Sequence, residues 1–425
     1  MPIDTLNEPY VLEGRIVTMG PQGVIDEGAI YIRSGQIEAV MDVNESSPAG
    51  FTGVSRIKTG GTIYPGLIEL HNHLSYNALP LWKVPRKYLH SGHWQGTDEY
   101  KVAVTKPAMV LANTAGNAEA LVRYVECRCL LGGVTTSQGI TLQANSGIRK
   151  LYKGLVRNVE APTVDGLTPA KARIGAPDKD LDAYLGKLKD APNCYLQHLS
   201  EGINDGTHNT ALKQFTNLQR DDGSWALFKS LCGIHSTALK AEHFQVMAQH
   251  KGSLVWSPLS NYLLYGETTD VKAAKEAGVP IALGCDWAPS GSKNLLGELK
   301  VASIVSEELG GLFSPRELCE MVTTTPAAIL GWSDKLGRIE KGKLADLIVI
   351  DNTTEDPYEQ LVTARETSLT LVVIGGIPRV GQTRLMRKFI AGGEKVQVGP
   401  STRILDLTTT PGDADLGGLT LWGAR

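Results

Sequence analysis

Several features are missing from this 425-residue chain. No block of basic residues occurs: 42 Lys and Arg stand against 45 Asp and Glu, a formal charge of −3. The electrostatic footprint of a nucleic-acid or polybasic membrane binder is therefore absent. No uninterrupted apolar run reaches the ~18 residues of a membrane-spanning helix. The opening MPIDTLNEPYVLEGRIV lacks the charged and then apolar order of a secretory leader. The six cysteines (Cys127, Cys129, Cys194, Cys232, Cys285 and Cys319) are scattered and form no CxxC pair, which suits reduced thiols rather than a disulfide framework. Internal repeats and low-complexity tracts are lacking too. These absences lead us to expect a cytoplasmic protein whose partner is a small molecule, with no nucleic acid and no membrane.

What is present is an ordinary globular composition, 42% apolar and 20% charged, enough to bury a large core. Its 46 glycines exceed the usual share of about 7% and point to many tight strand-to-loop turns. The segments GRIVTM, AIYIRSGQIEAV and TGGTIYP alternate apolar and polar positions between glycine-rich turns, as short antiparallel strands do. From residue 63 to 343 the texture changes to short apolar runs alternating with helical stretches, the pattern of βα units. Seven such runs are legible: IYPGLIELHNH, GVTTSQGI, GLVRNVE, NCYLQHLSE, LCGIHSTAL, GSLVWSPLSN and VPIALGCDW. ARIGA, at 172–176, offers an eighth. Strand texture returns in KLGRIEKGKLADLIVID and LTLVVIGGIPRV. Residues 1–62 and 344–399 are thus expected to share one small β-domain, unless the two ends build unrelated sheets. Residues 400–425 form a tail or arm carrying Leu405, Leu407, Leu416, Leu419, Leu421 and Trp422.

The candidate chemistry lies at the ends of the apolar runs. In His71-Asn72-His73 the two histidines are separated by two positions, so on a strand both imidazoles face one side, half of a metal site. His198 and Glu201 close a second run, His235 a third and Asp286 a fourth. Each is weak alone, since HxH and HxxE occur by chance and a lone strand histidine is more often a hydrogen-bonded core residue. Asp286 is harder to dismiss. A carboxylate directly after Ile-Ala-Leu-Gly-Cys is costly to desolvate without a cation beside it. Four strand ends carrying His or Asp exceed coincidence, because a parallel barrel places its chemistry at the C-terminal ends of its strands.

Taken in order, IYPGLIELHNH, HLSE, GIHSTAL, SPLSN, GCDWAPSGS and TTTPAAILGW with LGRIEKGKLADLIVID resemble the amidohydrolase superfamily. More narrowly they resemble its cytosine deaminase, guanine deaminase and triazine hydrolase branch, from about Gly14 to about Val380. That resemblance implies an α/β fold: a distorted TIM (β/α)8 barrel with a small β-sandwich domain formed from both chain ends. It implies one divalent metal ion, zinc first, with iron or manganese also suited to such ligands. The ligands become His71, His73, His198 and Asp286. Glu201 and His235 become the groups that deliver protons and steady the attacking water or the substrate oxygen, and Asp286 also accepts a proton from the water. A homo-oligomer is expected as well.

The activity implied is hydrolysis of a non-peptide C–N bond in a small cyclic nitrogen compound, deamination first. Ring opening or cleavage of an amide or urea-like bond is the alternative, and a non-catalytic scaffold is disfavoured by the complete ligand set. Two departures from the branch stand out: Glu69 where relatives commonly have Asp, and the bulky Trp287 after Asp286, positioned to narrow the pocket or stack a flat substrate. Binuclear relatives carry a lysine on the fourth strand. Lys171 only precedes a short, uncertain one, so a single ion is expected. The stretch from Glu160 to Asn193 is short for two βα units, so an abbreviated middle of the barrel is expected. For substrate contacts the candidates are Trp82, His93 and Trp94 in the long loop after the first strand, Asn261 after the seventh, and Trp287.

Overall fold

The computed structural model describes residues 2–114, 116–139, 154–204 and 206–407. Four N-terminal strands, β1 (Tyr10–Val17), β2 (Val24–Arg33), β3 (Gln36–Asp42) and β4 (Arg56–Pro65), come first. Eight short strands follow: β5 (Leu67–Glu69), β6 (Val134–Ser137), β7 (Arg157–Asn158), β8 (Lys171–Arg173), β9 (Tyr195–Leu199), β10 (Leu231–His235), β11 (Ser253–Trp256) and β12 (Ile281–Leu283). The C-terminal set is β13 (Leu347–Asp351), β14 (Leu369–Ile374), β15 (Ile377–Gln382), β16 (Glu394–Val398) and β17 (Ser401–Leu405).

The two chain ends meet in one nine-stranded sheet of order β16-β17-β15-β14-β13-β4-β1-β2-β3. The junction is an antiparallel ladder between β13 and β4, from Leu347 opposite Pro65 to Asp351 opposite Gly61. Side-chain alternation along β13 explains how this sheet sits against the rest of the fold. Leu347 and Val349 join Tyr10, Leu12, Ile30, Leu371 and Ile404 in the sheet's own core, whereas Ile348 and Ile350 face the large core that the helices share. Ser401–Leu405, read from the sequence as the start of a tail, is instead a strand paired on both sides, with β15 and β16. The residues Leu416, Leu419, Leu421 and Trp422 lie outside the described ones.

The middle strands are all parallel and fall into two arcs, β5-β6-β7 and β8-β9-β10-β11-β12. The arcs approach each other at two seams. Asn72 forms a parallel bridge with Asp286, and the Ala170 amide donates to the Val159 carbonyl at 2.8 Å. The ladder is thus interrupted rather than continuous, in a TIM-barrel-like α/β arrangement. No helix separates β7 from β8, so this βα unit is abbreviated.

The run IYPGLIEL, legible as one strand, is divided at Gly66. Ile63–Pro65 stays in the end sheet, while Leu67–Glu69 enters the barrel against β6. A side chain at Gly66 would sit 2.2–2.8 Å from the Thr135 side chain, so only glycine lets the chain pass from one sheet to the other.

Candidate active site

Four side chains converge where the two arcs meet. His71 and His73 follow β5, His198 is carried by β9, and Asp286 follows β12. His71 Nε2 lies 3.1 Å from His198 Nε2, which is 3.3 Å from His73 Nε2. Asp286 Oδ1 lies 3.4 Å from His71 Nε2 and 3.2 Å from His73 Nε2. A tetrahedral ion with bonds of about 2.0–2.1 Å needs its ligand atoms about 3.3–3.4 Å apart. The four separations match edges of that tetrahedron, and wherever two facing atoms are both unprotonated their lone pairs repel one another unless a cation sits between them. The donor set therefore fits a divalent metal.

The surroundings keep these side chains in the form a metal ion would require. His198 Nδ1 is 3.3 Å from the Arg173 carbonyl oxygen, an acceptor only, so the ring proton sits on Nδ1 and the Nε2 lone pair points inward. His71 Nδ1 meets Ser257 Oγ at 2.7 Å. Burial, aided by neighbouring imidazoles, holds His71 and His198 well below the ordinary histidine range, so both are neutral near pH 7. Ser260 Oγ donates to Asp286 Oδ2 at 2.5 Å, leaving Oδ1 toward the histidines.

Backbone strain concentrates here too. Ser200, His235, Ser236 and Asp286 all have left-handed φ, between 50° and 68°, a conformation costing about 1–3 kcal/mol each for a non-glycine residue. Abrupt turns at the ends of β9, β10 and the β12 extension redirect the chain at the mouth.

Glu201 and His235 join the cluster. His235 Nδ1 lies 3.0 Å from Asn261 Oδ1, whose own amide donates to Thr268 and Thr269. Nδ1 therefore carries the proton and Nε2 faces Glu201 Oε1, 3.8 Å away. Both line a cavity of about 210 Å³ with His73, His198, Asp286 and an aromatic wall of Tyr76, Trp94, Tyr100 and Trp287. Trp287 is 5.6 Å from Trp94 and 5.1 Å from Tyr76, ring centre to ring centre.

Three substrate candidates fall elsewhere. Trp82 is buried behind the wall, stacked on Tyr88 at 6.2 Å, and is not part of the cavity lining. His93 is exposed and lies against His90 with ring centres 3.9 Å apart. Asn261 has both amide atoms engaged with His235 and the two threonines, so it orients the histidine from behind. Ser260 likewise serves Asp286. Lys171 is exposed and outside the cavity. Glu69 is buried and braces the site: its two oxygens accept from the Cys285 amide at 3.0 Å and the Asn72 side chain at 2.8 Å, and burial raises its pKa. Tyr100, Tyr265 and Ser290 escaped the sequence argument. Tyr100 and Tyr265 lie on helices well past the ends of β5 and β11 and carry no signature spacing, and only packing brings them to the mouth.

Metal-type ligands at strand ends of a TIM-barrel-like fold define a class, the metal-dependent barrel hydrolases. Within it, residues 62–378 match the model of the amidohydrolase family; the chain belongs to that family and is a hydrolase of C–N bonds other than peptide bonds. It is 24% identical to a 5-methylthioadenosine/S-adenosylhomocysteine deaminase of Moorella thermoacetica over 359 residues, covering 77% of this chain and 82% of the relative. Two solved structures share the fold. A triazine hydrolase variant superposes with a TM-score of 0.70 at 20% identity, over 88% of this chain and 95% of the other. An adenosine deaminase from Xanthomonas campestris with bound zinc gives 0.64 at 18% identity, over 92% and 96%. No helix among the described residues is long and apolar enough to cross a membrane.

Proposed function

We propose that the chain is an aminohydrolase that removes an amino group, as ammonia, from a flat nitrogen heterocycle, using one zinc ion held by His71, His73, His198 and Asp286. One observation carries this: His73, His198, Asp286, Glu201 and His235 line one cavity whose wall carries four aromatic rings, and the buried His71 sits 3.1 Å from His198 Nε2 and 3.4 Å from Asp286 Oδ1. The zinc bound to the Xanthomonas relative and the deaminase names of the Moorella and Xanthomonas proteins support the same reading. The nine-stranded sheet then serves as a β-sandwich curled over its own core, drawn from residues up to Pro65 and from 344 to Leu405, with the barrel between them.

When bound, the ion supplies the Lewis acidity that makes water nucleophilic near pH 7. Asp286 accepts a proton from that water as its oxygen bonds to the ring carbon. Glu201 delivers a proton to the adjacent ring nitrogen, and His235 Nε2 hydrogen-bonds the new oxygen. The proton held by Asp286 then passes to the amino group, the carbon–nitrogen bond breaks to release ammonia, and the new hydroxyl returns its proton to Glu201 as the ring carbon becomes a carbonyl. Trp94 and Trp287 hold the ring flat against the mouth and exclude water around it.

Elemental analysis of protein purified without added metal, coupled to an ammonia-release screen over purines, pyrimidines, triazines and cyclic ureas, tests this. About one zinc per chain with ammonia from one ring class is the expected result. Hydrolysis without ammonia reassigns the chain to ring opening, and failure to hold any metal after reconstitution refutes the proposal.

A further inference from the structure

Tyr265 ends the helix Pro258–Tyr265 that follows β11. Its ring is buried among Leu79, Trp94, Leu264 and Trp287. Its hydroxyl makes two bonds to residues of other loops. It accepts from Trp94 Nε1 at 2.9 Å and donates to Glu201 Oε1 in a very short contact. A phenol has a single proton to give, and here it goes to the carboxylate. Burial and the charge of Glu201 hold the phenol far above its ordinary pKa, so that proton stays in place. The three residues come from separate parts of the barrel mouth: Trp94 from the loop after β5, Glu201 from beyond β9 and Tyr265 from beyond β11.

We propose that Tyr265 is the positioning residue of Glu201, anchoring one carboxylate oxygen so that the other exchanges the substrate proton, and that Trp94 is tied through it to the same carboxylate. The proposal rests on the assignment of Glu201 as the proton carrier. A carboxylate hinged on a flexible side chain samples many orientations, and one fixed oxygen removes most of them. Misplacement by about 1 Å at a reacting group can cost about 100-fold in rate. The Trp94 indole, which walls the cavity, fixes the direction of the phenol oxygen. Substrate seating and acid orientation are thereby mechanically linked.

The test uses the full-length, metal-loaded chain. Tyr265→Phe keeps the ring and removes only the hydroxyl. It is expected to lower kcat about 10- to 100-fold with KM within about threefold, and to cost nothing further in a Glu201→Gln background, because the two act as one unit. Unchanged kcat, or losses that multiply in the double variant, overturns the proposal. A second readout needs no turnover. The infrared carboxylate stretch of Glu201, identified by its disappearance in Glu201→Gln, is expected to shift in Tyr265→Phe, and a band that stays put overturns the proposal. Should Tyr265→Phe not fold, Trp94→Phe, which deletes the indole N–H that Tyr265 accepts, carries the same band test with the same two outcomes. A wild-type chain inert toward every heterocycle refutes the aminohydrolase reading, while the infrared band still decides the role of Tyr265.

Discussion

Gly284, two residues before Asp286, passes against the backbone of His71. A β-carbon placed there would lie 2.4 Å from His71 Cβ, 2.8 Å from its amide nitrogen and 2.9 Å from its Cα. Carbon atoms are comfortable at about 3.5–4.0 Å, so Gly284→Ala requires the two segments to separate by roughly 1 Å. Neither yields easily. The Gly284 amide donates to the Trp256 carbonyl at 3.0 Å, and the Asp286 amide to the His71 carbonyl at 2.9 Å. Ligand positions tolerate only about 0.2 Å, and even disturbing groups behind a ligand costs about 10- to 100-fold in metal affinity. Gly284→Ala is therefore expected to weaken zinc binding by at least that factor. It should also destabilise the fold by about 1–3 kcal/mol through overpacking. Competition against a zinc-buffering chelator measures the first, and thermal unfolding the second. Gly186→Ala is the control: Gly186 lies within the helix Leu181–Asp190 with nothing within 4 Å of an added β-carbon. The same added methyl there is expected to raise stability by about 0.5–1 kcal/mol. If Gly284→Ala bound zinc as tightly as Gly186→Ala and melted no earlier, the crowding at His71 would not exist as described.

Further expectations follow from the same geometry. Asp286→Asn and His71→Ala should lose zinc and activity together, whereas Glu201→Gln should retain zinc and lose about 100-fold or more in kcat; elemental analysis beside kinetics separates them, and full activity of Glu201→Gln would end its role as proton carrier. Trp94→Ala and Trp287→Ala should raise KM several-fold, roughly a kcal/mol or more per lost ring contact. Trp82→Ala should mainly lower the melting temperature, and a KM change confined to Trp82 would contradict the cavity lining. Glu298 is buried, its carboxyl pushed up to about 7 mainly by desolvation. Its folded pKa thus exceeds the unfolded value of about 4.5, so the native state holds its proton more tightly. Its contribution is favourable at low pH and falls as pH rises from about 4.5 through 7, by up to about 3 kcal/mol. The melting temperature of Glu298→Gln relative to wild type should accordingly climb between pH 5 and pH 8, and a flat difference would refute the buried-acid account.

Residues whose role follows from local covalent geometry were legible in the sequence. His71 and His73 stood out because a two-residue spacing on a strand puts both side chains on one side, and the structure sets both just beyond the end of β5. His198, Glu201, His235 and Asp286 stood out because each closes an apolar run. Most of the strands were legible for the same reason, while the eighth, expected at 172–176, runs instead over Lys171–Arg173. Gly66 was not, because the split of IYPGLIEL depends on Thr135, a residue distant in sequence. Trp82 and Trp94 look equivalent in the loop, and so do His93 and Asn261 as polar candidates. Which of them faces the cavity depends on what packs behind them.

By itself, the sequence determined which His and Asp side chains are candidate ligands, their attachment to strand ends and the texture of barrel and flanking sheet, since period-2 alternation and burial cost act over a few residues. The tertiary structure decided the distances between ligands, the pairing of β4 with β13 and the wall of Tyr76, Trp94, Tyr100 and Trp287. It also decided that a tyrosine with no motif of its own holds Glu201. Those outcomes depend on contacts between segments tens to hundreds of residues apart, and such contacts exist only once the core has closed.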